Sequence, residues 1–289
     1  MTDRPSMNVL VIGGSGFIGK RLIKAFKKKG IDYTIACRGI TYGLEELDSK
    51  FFLWDTNKKP CKDFNFNAFT HFVHIPDLAQ IKFPEQYLKF ISSKNFKRNI
   101  FISSTNILTN LPAASKPKRV KAESLIKETF KAYTILRPTM IYGGLDDRNM
   151  TKLKKLYWRL PFVPLIEKGK ALQQPVHVED VVEAIILGFE NSSLINKTLT
   201  VSGKTPLPFK DVAKILCGSI NKKARFLNVP STPIFWIFRL LEIFHIPFPF
   251  KSEQILRLKE DKAFASSPPL LAAGFKPREF SVHEVTING

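Results

Sequence analysis

The fold of this chain is decided by one stretch near its start, Asn8–Gly19, which reads NVLVIGGSGFIG. Its first five residues form a short, β-rich apolar run that is typical of a buried strand, and a glycine-rich turn follows at once. Residues 20–29 then repeat apolar side chains at helical spacing, and residues 31–36 are predicted to form a second strand. A strand, a glycine turn, a helix and a second strand in this order are the context that a dinucleotide-binding fingerprint requires.

The glycines of this turn have separate roles. In a dinucleotide site one glycine makes the tight turn, one lets the backbone approach the pyrophosphate, and one lets the helix pack closely on the strand. The pyrophosphate then lies at the helix N-terminus, where free N–H groups and the helix dipole favour negative charge. A turn with only a structural role is the alternative. The predicted cofactor-binding residues of the turn are Gly13, Ser15, Gly16, Phe17, Ile18 and Gly19.

The end of the second strand favours NADP(H) over NAD(H). An NAD site commonly places Asp or Glu here for the ribose 2′-hydroxyl, whereas an NADP site places Arg nearby for the 2′-phosphate. The chain has no acidic residue between Tyr33 and Leu44, and Arg38 stands where the 2′-phosphate would bind. Lys20 or Arg21 would add positive charge there. The alternative is that Arg38 is a solvated residue at a strand end.

The composition of the chain limits where the protein can be located in the cell and which molecules it can bind. Cys37, Cys61 and Cys217 are scattered and odd in number, so they predict no disulfide framework and fit a reducing compartment. The polar start of the chain and the lack of a bilayer-length apolar stretch predict a cytoplasmic protein, with peripheral membrane attachment as the alternative. The net charge of +20 implies anionic partners, although the lysines are spread out and a solvated basic surface would also explain them. Nucleic acid is not expected as a partner, because no basic motif interleaved with aromatic residues is present.

The rest of the chain continues the alternation of strands and helices up to about residue 145. We predict an α/β fold with a Rossmann-type, doubly wound parallel sheet in residues 1–145, to which a segment around 175–205 returns. Residues 146–289 are expected to form mainly a smaller C-terminal α+β part that covers the substrate side. Strands are predicted at 50–54, 70–75, 99–102, 133–136, 198–201 and 224–229, helices at 83–93, 118–130, 150–158, 178–189 and 208–220, and a loop around Pro161 and Pro164.

With these pieces in place the chain resembles the extended short-chain dehydrogenase/reductase family, which includes nucleotide-sugar epimerases and dehydratases. The resemblance covers nearly the whole chain, and the order and spacing of its motifs make it specific. Besides the glycine turn, the motifs are Val73-His74, Ser103-Ser104, Lys121-Ala122-Glu123, Arg137 to Gly143 (RPTMIYG), Val176 to Val181 (VHVEDV), Asp261 to Phe264 (DKAF) and Ala273 to Pro277 (AGFKP).

The resemblance implies a catalytic Tyr and Lys four residues apart on one helix, and a Ser or Thr after the fifth strand. In the family the Lys lowers the pKa of the Tyr and holds the nicotinamide ribose, while the Tyr moves a proton as hydride is transferred. Here Lys121 matches the Lys and Ser104 matches the Ser or Thr, but the Tyr position falls on Pro117, which cannot transfer a proton. The loss of the Tyr resembles the pattern of the atypical branch of the family. That branch includes reductases, an accessory subunit of respiratory complex I and chloroplast RNA-binding proteins.

Other cofactor-binding residues are implied by the same resemblance. Asp55 matches the acid that approaches the adenine amino group, His74 matches a His at the end of the fourth strand, and Pro138 lies in a motif that leads into the substrate loop. Ile75-Pro76 replaces the usual small residues and is expected to crowd the cofactor. The alternatives are an exposed strand-end acid for Asp55 and a satisfied sheet-edge histidine for His74.

The segment 233–250 is apolar nearly all round. Such a segment is buried, contacts a partner or lies at a membrane interface. One interpretation is a buried cover over the substrate cleft. Lys222, Lys223 and Lys251 near its ends favour a membrane surface as the alternative, and a large apolar or lipid-linked substrate is a third possibility.

Two hypotheses for function stay open. The first is an NADP(H)-dependent atypical oxidoreductase or nucleotide-sugar epimerase/dehydratase-like enzyme, with Lys121 at the ribose and Ser104 at the reacting oxygen. Its proton donor is unassigned, and water or a substrate group would serve. The second is a non-catalytic scaffold or sensor that binds the dinucleotide and docks on a membrane complex or RNA. The first implies turnover of a small-molecule substrate, and the second implies tight binding without turnover.

Overall fold

The structure, a computed structural model, describes residues 7–39, 50–58, 64–111, 113–144, 146–246 and 258–282. Cys61 and the end of the apolar segment, 247–250, with Lys251, lie outside these described residues. The strands are β1 (Asn8–Ile12), β2 (Asp32–Cys37), β3 (Phe51–Leu53), β4 (His71–His74), β5 (Arg98–Ile102), β6 (Tyr133–Pro138), β7 (Ile141–Tyr142), β8 (Val163–Ile166), β9 (Leu172–Gln173), β10 (Val176–His177), β11 (Lys197–Val201), β12 (Leu207–Pro208) and β13 (Phe226–Val229). The α-helices are α1 (Phe17–Lys29), α2 (Pro84–Ser92), α3 (Ser115–Thr129), α4 (Arg148–Arg159), α5 (Val178–Glu190), α6 (Phe209–Gly218), α7 (Ser231–Ile243) and α8 (Pro268–Ala272).

Seven strands form one parallel sheet in the order β3-β2-β1-β4-β5-β6-β11. The strand order reverses at β1, because β2 and β3 lie on one side of it and the later strands lie on the other. Ile12 of β1 is in register with Ala36 of β2 and with His74 of β4, so the three strands end at nearly the same level. The predicted Rossmann-type sheet is therefore confirmed, and the crevice at its switch point is where such folds bind ligands.

Two apolar layers cover the two faces of the sheet. On one face α1 and α5 bury Leu22, Phe26 and Ile185. On the other face α2 and α3 bury Leu88 and Ile126. Each helix presents one apolar stripe because its large apolar residues recur every three or four positions. Burial of one such side chain contributes roughly 1.5–3 kcal/mol, so these layers fix the orientation of the helix ends at the crevice.

Helix α3 begins earlier than its sequence predicts. The expected start is at residue 118, because of the proline before it, but the structure begins the helix at Ser115. Pro117 therefore lies in the first helical turn, where the missing N–H group would have no partner within the helix. The position that matches the family Tyr is consequently helical even though its residue is proline.

The expected loop around Pro161 and Pro164 is wrong from Val163 onward. This segment forms β8, which pairs in parallel with β13 and places Pro164 opposite Leu227. A two-stranded sheet has only edge strands, and proline is tolerated there when its missing donor faces away from the partner.

The C-terminal part contributes both to the large sheet and to a core of its own. Strand β11 returns to the sheet beside β6. A separate core forms among α4, α6 and β8, with Tyr157, Val163 and Leu216 fully buried. The division of the chain near residue 145 stays a prediction.

Helix α7 does not form the buried cover that is one interpretation of its sequence. Ser231 at its first position is the one residue of this helix that is buried. Within the described ranges no helix is both long enough and apolar enough to cross a membrane.

Substitution of Gly19 tests the contact that joins α1 to the strand before it. A Cβ at Gly19 would lie 2.3 Å from the carbonyl oxygen of Gly13, whereas a Cβ at Gly218, also helical, would meet nothing within 4 Å. We expect Gly19→Ala to lower the free energy of unfolding by about 1–3 kcal/mol, because backbone must move. We expect the control, Gly218→Ala, to raise it by roughly 0.4–1 kcal/mol. Urea denaturation followed by circular dichroism measures both, and an unchanged stability of Gly19→Ala would contradict this packing.

Candidate functional site

A cleft of about 530 Å³ lies at the carboxyl ends of β1, β2 and β4. Its walls are the glycine turn, the end of β2, the turn after β3 and the residues after β4. The cleft therefore occupies the switch point of the sheet, the usual ligand crevice of such folds. The predicted site residues that line it are Gly13, Ser15, Gly16, Phe17, Ile18, Arg38 and His74.

The glycine turn leaves the floor of this cleft open to an anion. Gly13 has a φ of +83°, which favours glycine, and a Cβ there would lie 2.9 Å from the ring of Pro76. Gly16 is the N-cap of α1, and neither a side-chain cap nor an acidic first-turn residue occupies this helix end. The first N–H groups of a helix have no partner within it, and phosphate is a group that they bind well. The turn therefore fits the pyrophosphate of a dinucleotide.

The three candidate cations, Lys20, Arg21 and Arg38, have different surroundings at the rim of the cleft. Arg38 is exposed, Lys20 is half-buried, and both line the cleft. Arg21 is engaged elsewhere, because its guanidinium donates to Asp146 at 2.7 Å and to the carbonyl of Gly143 at 3.1 Å. Arg38 is therefore the exposed cation that is placed to contact a phosphate at this rim.

Asp55 shapes the far wall without lining the cleft. Its carboxylate accepts a hydrogen bond from the backbone N–H of Asn57 at 3.0 Å and so holds the turn after β3. The neighbours Trp54, Thr56 and Asn57 line the cleft instead.

His74 is completely buried at the end of β4 and lines the cleft. Its Nδ1 is 2.8 Å from the Tyr87 hydroxyl, while its Nε2 has no hydrogen-bond partner among the described residues. Burial lowers the pKa of His74 to about 3, so the ring is neutral and offers one unused nitrogen. Ile75 and Pro76 both line the cleft, and their expected crowding of the cofactor stays a prediction.

Helix α3 turns Arg119 inward, toward Asp77 at the cleft, and Lys121 toward solvent. The Arg119 side chain is 8% exposed, and it donates from Nε (2.9 Å) and Nη2 (2.7 Å) to the carboxylate of Asp77, a residue that lines the cleft. Its Nη1 donates to the Ser115 hydroxyl at 2.7 Å. Lys121 is 59% exposed, pairs with Glu85 at 2.5 Å and lies with Pro117 along a surface groove.

The expectation that Lys121 reaches the nicotinamide ribose stays a prediction; in this structure its side chain pairs with Glu85. Residues two apart on a helix are separated by about 200° around its axis, so Arg119 and Lys121 lie on opposite faces. Ser115, four residues before Arg119, shares the inward face with it. Ser115 and Arg119 thus have the spacing of the family Tyr and Lys on the inward face of α3, behind Asp77, and neither lines the cleft.

Ser104 lines a second, smaller cavity of about 140 Å³ beyond the ends of β5 and β6. Its hydroxyl oxygen accepts a hydrogen bond from the backbone of Asn106 at 3.2 Å. Gln173 also lines this cavity, and its buried amide nitrogen has no partner among the described residues. Pro138 lies beside the same loop, because Thr105 donates to its carbonyl at 3.3 Å. The cavity therefore combines a hydroxyl with an unused amide donor.

Among the described residues, no tyrosine lines either cavity. Tyr142 is buried and donates to the carbonyl of Glu279 at 3.2 Å. Tyr87 is buried beside His74. Burial raises the pKa of both phenols, so the phenolate that the family's chemistry uses is disfavoured in each.

Sequence reasoning did not find Asp77, Arg119 or Gln173. A signal existed for Asp77, which follows β4 at the carboxyl edge where ligands bind. The signal for Arg119 is its spacing of four from Ser115, which becomes visible only when the helix is known to begin before Pro117. Gln173 lies in a two-residue strand that has no periodicity to detect.

Comparisons with known proteins agree with the fold. No family model matches the chain. The chain is 28% identical over 174 residues to an Arabidopsis thaliana protein, NADH dehydrogenase [ubiquinone] 1 alpha subcomplex subunit 9, mitochondrial, covering 58% of this chain but 42% of that protein. It is 23% identical to human sterol-4-alpha-carboxylate 3-dehydrogenase, decarboxylating, covering 78% of this chain and 69% of that enzyme. The chain therefore spans less than half the length of some curated relatives that it matches.

Among solved structures, UDP-glucuronic acid 4-epimerase from Bacillus cereus in complex with NAD superposes with a TM-score of 0.63 at 18% identity. The match covers 78% of this chain and 88% of that enzyme, and it shows a shared fold. The expected resemblance to extended and atypical short-chain dehydrogenase/reductases of the epimerase/dehydratase type is therefore confirmed by relatives and structural neighbours together.

The face assignment of α3 is testable by comparing two substitutions. Arg119→Met leaves Asp77 without its charged partner, so we expect the free energy of unfolding to fall by about 1–3 kcal/mol. Lys121→Met removes an exposed ion pair, and we expect a change within about 0.5 kcal/mol. Urea denaturation of the two variants measures the difference. Equal losses, or a larger loss for Lys121→Met, would contradict the placement of Arg119.

Proposed function

We propose that this chain, whose relatives are short-chain dehydrogenase/reductases, functions as an atypical NADP(H)-binding member of that group. The observation that carries the proposal is the glycine turn, which opens α1 into the switch-point cleft with Arg38 on its rim. The pyrophosphate would bind at the N-terminus of α1, where Ser15, Gly16 and Ile18 line the cleft.

The preference for NADP(H) rests on charge at the rim. Arg38 and Lys20 line the cleft, and a guanidinium matches the planar geometry of a phosphate. A 2′-phosphate is therefore favoured over the bare 2′-hydroxyl of NAD(H). Asp55 would contribute by holding the turn that carries Trp54 and Asn57 at the adenine side.

The first candidate role is an oxidoreductase or nucleotide-sugar epimerase/dehydratase-like enzyme. When bound, NADP(H) would supply hydride transfer. The small cavity supports this role, because Ser104 and the unpartnered amide of Gln173 would hold the reacting oxygen of a small substrate there. The proton would come from water or from a substrate group, since no described tyrosine lines the cavity. A role for Lys121 at the ribose would require its side chain to leave Glu85.

The second candidate role is a non-catalytic scaffold or sensor that docks on a partner through the segment 233–250. Two observations favour it. The inward face of α3 carries Arg119 and Ser115 at the spacing of the family Tyr and Lys. Helix α7 carries its apolar side chains on the surface. The names of the complex I relatives also suit a role inside an assembly, although the matched region covers 42% of the Arabidopsis protein.

We also propose a reducing location, cytoplasmic or peripheral at a membrane. The described cysteines, Cys37 and Cys217, are free and buried, which suits such a compartment.

Titration with NADPH and with NADH, followed by nicotinamide fluorescence, tests the cofactor proposal. We expect tighter binding of NADPH, weakened about tenfold or more by Arg38→Glu, with little effect on NADH, because only NADPH carries the 2′-phosphate. Arg225→Glu is the matched control, since Arg225 is an exposed arginine in the C-terminal part. Equal affinities for the two cofactors would overturn the NADP preference, and binding of neither would overturn the function.

A turnover assay separates the two candidate roles. NADPH oxidation is followed with panels of carbonyl compounds and nucleotide sugars, for the native protein and for Ser104→Ala. The enzyme role predicts turnover that falls about tenfold or more in Ser104→Ala while NADPH affinity is unchanged. The scaffold role predicts NADPH binding with no oxidation above the spontaneous rate in either protein.

A further inference from the structure

Helix α7 carries an apolar stripe on the side that faces solvent. Trp236, Ile237, Leu240, Ile243 and Phe244 are each more than half exposed, from 51% for Leu240 to 70% for Phe244. Their spacing of one, three and four residues places them along one face of the helix. A helix that packs only within its own domain turns such a stripe inward, so this face is built for contact with another surface.

The helix is attached to the rest of the chain near its first turn. The Ser231 backbone N–H and hydroxyl both donate to one carboxylate oxygen of Glu167, at 3.3 and 2.9 Å. Ser231 is also the one buried residue of the helix. Farther along the helix Phe235, Phe238 and Leu241 are half-buried, so one side of the helix rests on the protein while the apolar stripe faces solvent.

Positive charge surrounds this attachment point. Lys168 and Lys170 are exposed next to Glu167, and Lys259 lies 3.9 Å from its carboxylate. Three lysines near two carboxylates, Glu167 and Asp261, leave a local excess of positive charge, within a chain whose net charge is +20. The basic cluster (Lys168, Lys170 and Lys259) thus lies beside the start of the helix that carries the apolar stripe.

We propose that the apolar stripe and the basic cluster together bind the surface of an anionic lipid bilayer. Helix α7 would lie parallel to the membrane plane, with Trp236 and Phe244 in the boundary between headgroups and acyl chains. The basic cluster would bind lipid phosphates beside the start of the helix. Thirteen residues span about 20 Å, which is too short for a hydrocarbon core of about 30 Å, so the helix lies on the bilayer and does not cross it.

This inference names the partner for the docking role of the proposed function and rests on that role, but it is independent of NADP(H). An aromatic and aliphatic face with an adjacent basic cluster matches an anionic bilayer in both hydrophobicity and charge. The charged side chains on the helix itself, Arg239 and Glu242, pair with each other at 3.5 Å. The attraction to an anionic surface therefore comes from the basic cluster.

Flotation of the full chain with vesicles tests the proposal. Vesicles of phosphatidylcholine alone are compared with vesicles in which about a third of the lipid is phosphatidylglycerol, at low and at high salt. We expect flotation with the anionic vesicles at low salt and much less at high salt or with the neutral vesicles. Trp236→Glu combined with Leu240→Glu should lower the bound fraction about tenfold or more.

The controls separate this surface from others. Phe83→Glu combined with Leu271→Glu makes the same charge change at two exposed apolar residues outside α7, and it should leave most of the flotation intact. Lys168→Gln combined with Lys170→Gln should weaken binding and reduce its salt dependence. NADPH affinity, measured on the same variants, should not change, so failure of the cofactor proposal and failure of this one are distinguishable.

The proposal is overturned if the native chain does not float with anionic vesicles at low salt, or if the Trp236 and Leu240 variant floats as well as the native chain. It is also overturned if the variant instead abolishes self-association in sedimentation or salt-dependent RNA binding on filters, with vesicle flotation unchanged. Either of those results would assign the α7 surface to a second copy or to nucleic acid.

Discussion

The close approach of α1 to the turn after β1 is the contact on which the site depends. Gly19 has no side chain, so the helix can lie against the Gly13 carbonyl at a distance that a Cβ would not allow. This contact holds the N-terminus of α1 at the level where β1, β2 and β4 end. The positive end of the helix, the reversal of strand order and Arg38 therefore meet in one cleft.

The residues of α3 differ from the family's Tyr and Lys, although the sheet and helices have the same fold. A tyrosine and lysine at the cleft would form a proton relay with a flexible ammonium group. Here Arg119 presents a rigid fork that is held by Asp77 and by Ser115. The helix thus holds Asp77, a residue of the cleft wall, in a fixed ion pair. Within the described ranges, the buried Nε2 atoms of His74 and Gln173 have no protein partner, and each residue lines one of the two cavities.

Much of the fold could be predicted because its signals are local. The strand, glycine turn and helix at residues 8–29 need no knowledge of the rest of the chain, and the alternation that follows implies a parallel sheet. Strand β8 was missed because Pro164 argues against a strand unless its edge position is known. The inward placement of Arg119 was less accessible to sequence reasoning. Arg119 and Lys121 lie on opposite faces of α3, and a motif match at Lys121 does not reveal which face packs on the sheet. The exposure of α7 was also beyond sequence reasoning, since the same apolar residues would suit a buried helix.

The central claim is that a dinucleotide binds at the N-terminus of α1, and amide hydrogen exchange with and without saturating NADPH tests it most directly. The account predicts slower exchange in the peptide that covers residues 13–20 and in the peptide around Arg38, with no change in α7. Unchanged exchange at residues 13–20 in the presence of NADPH, at concentrations well above those of cells, would contradict it.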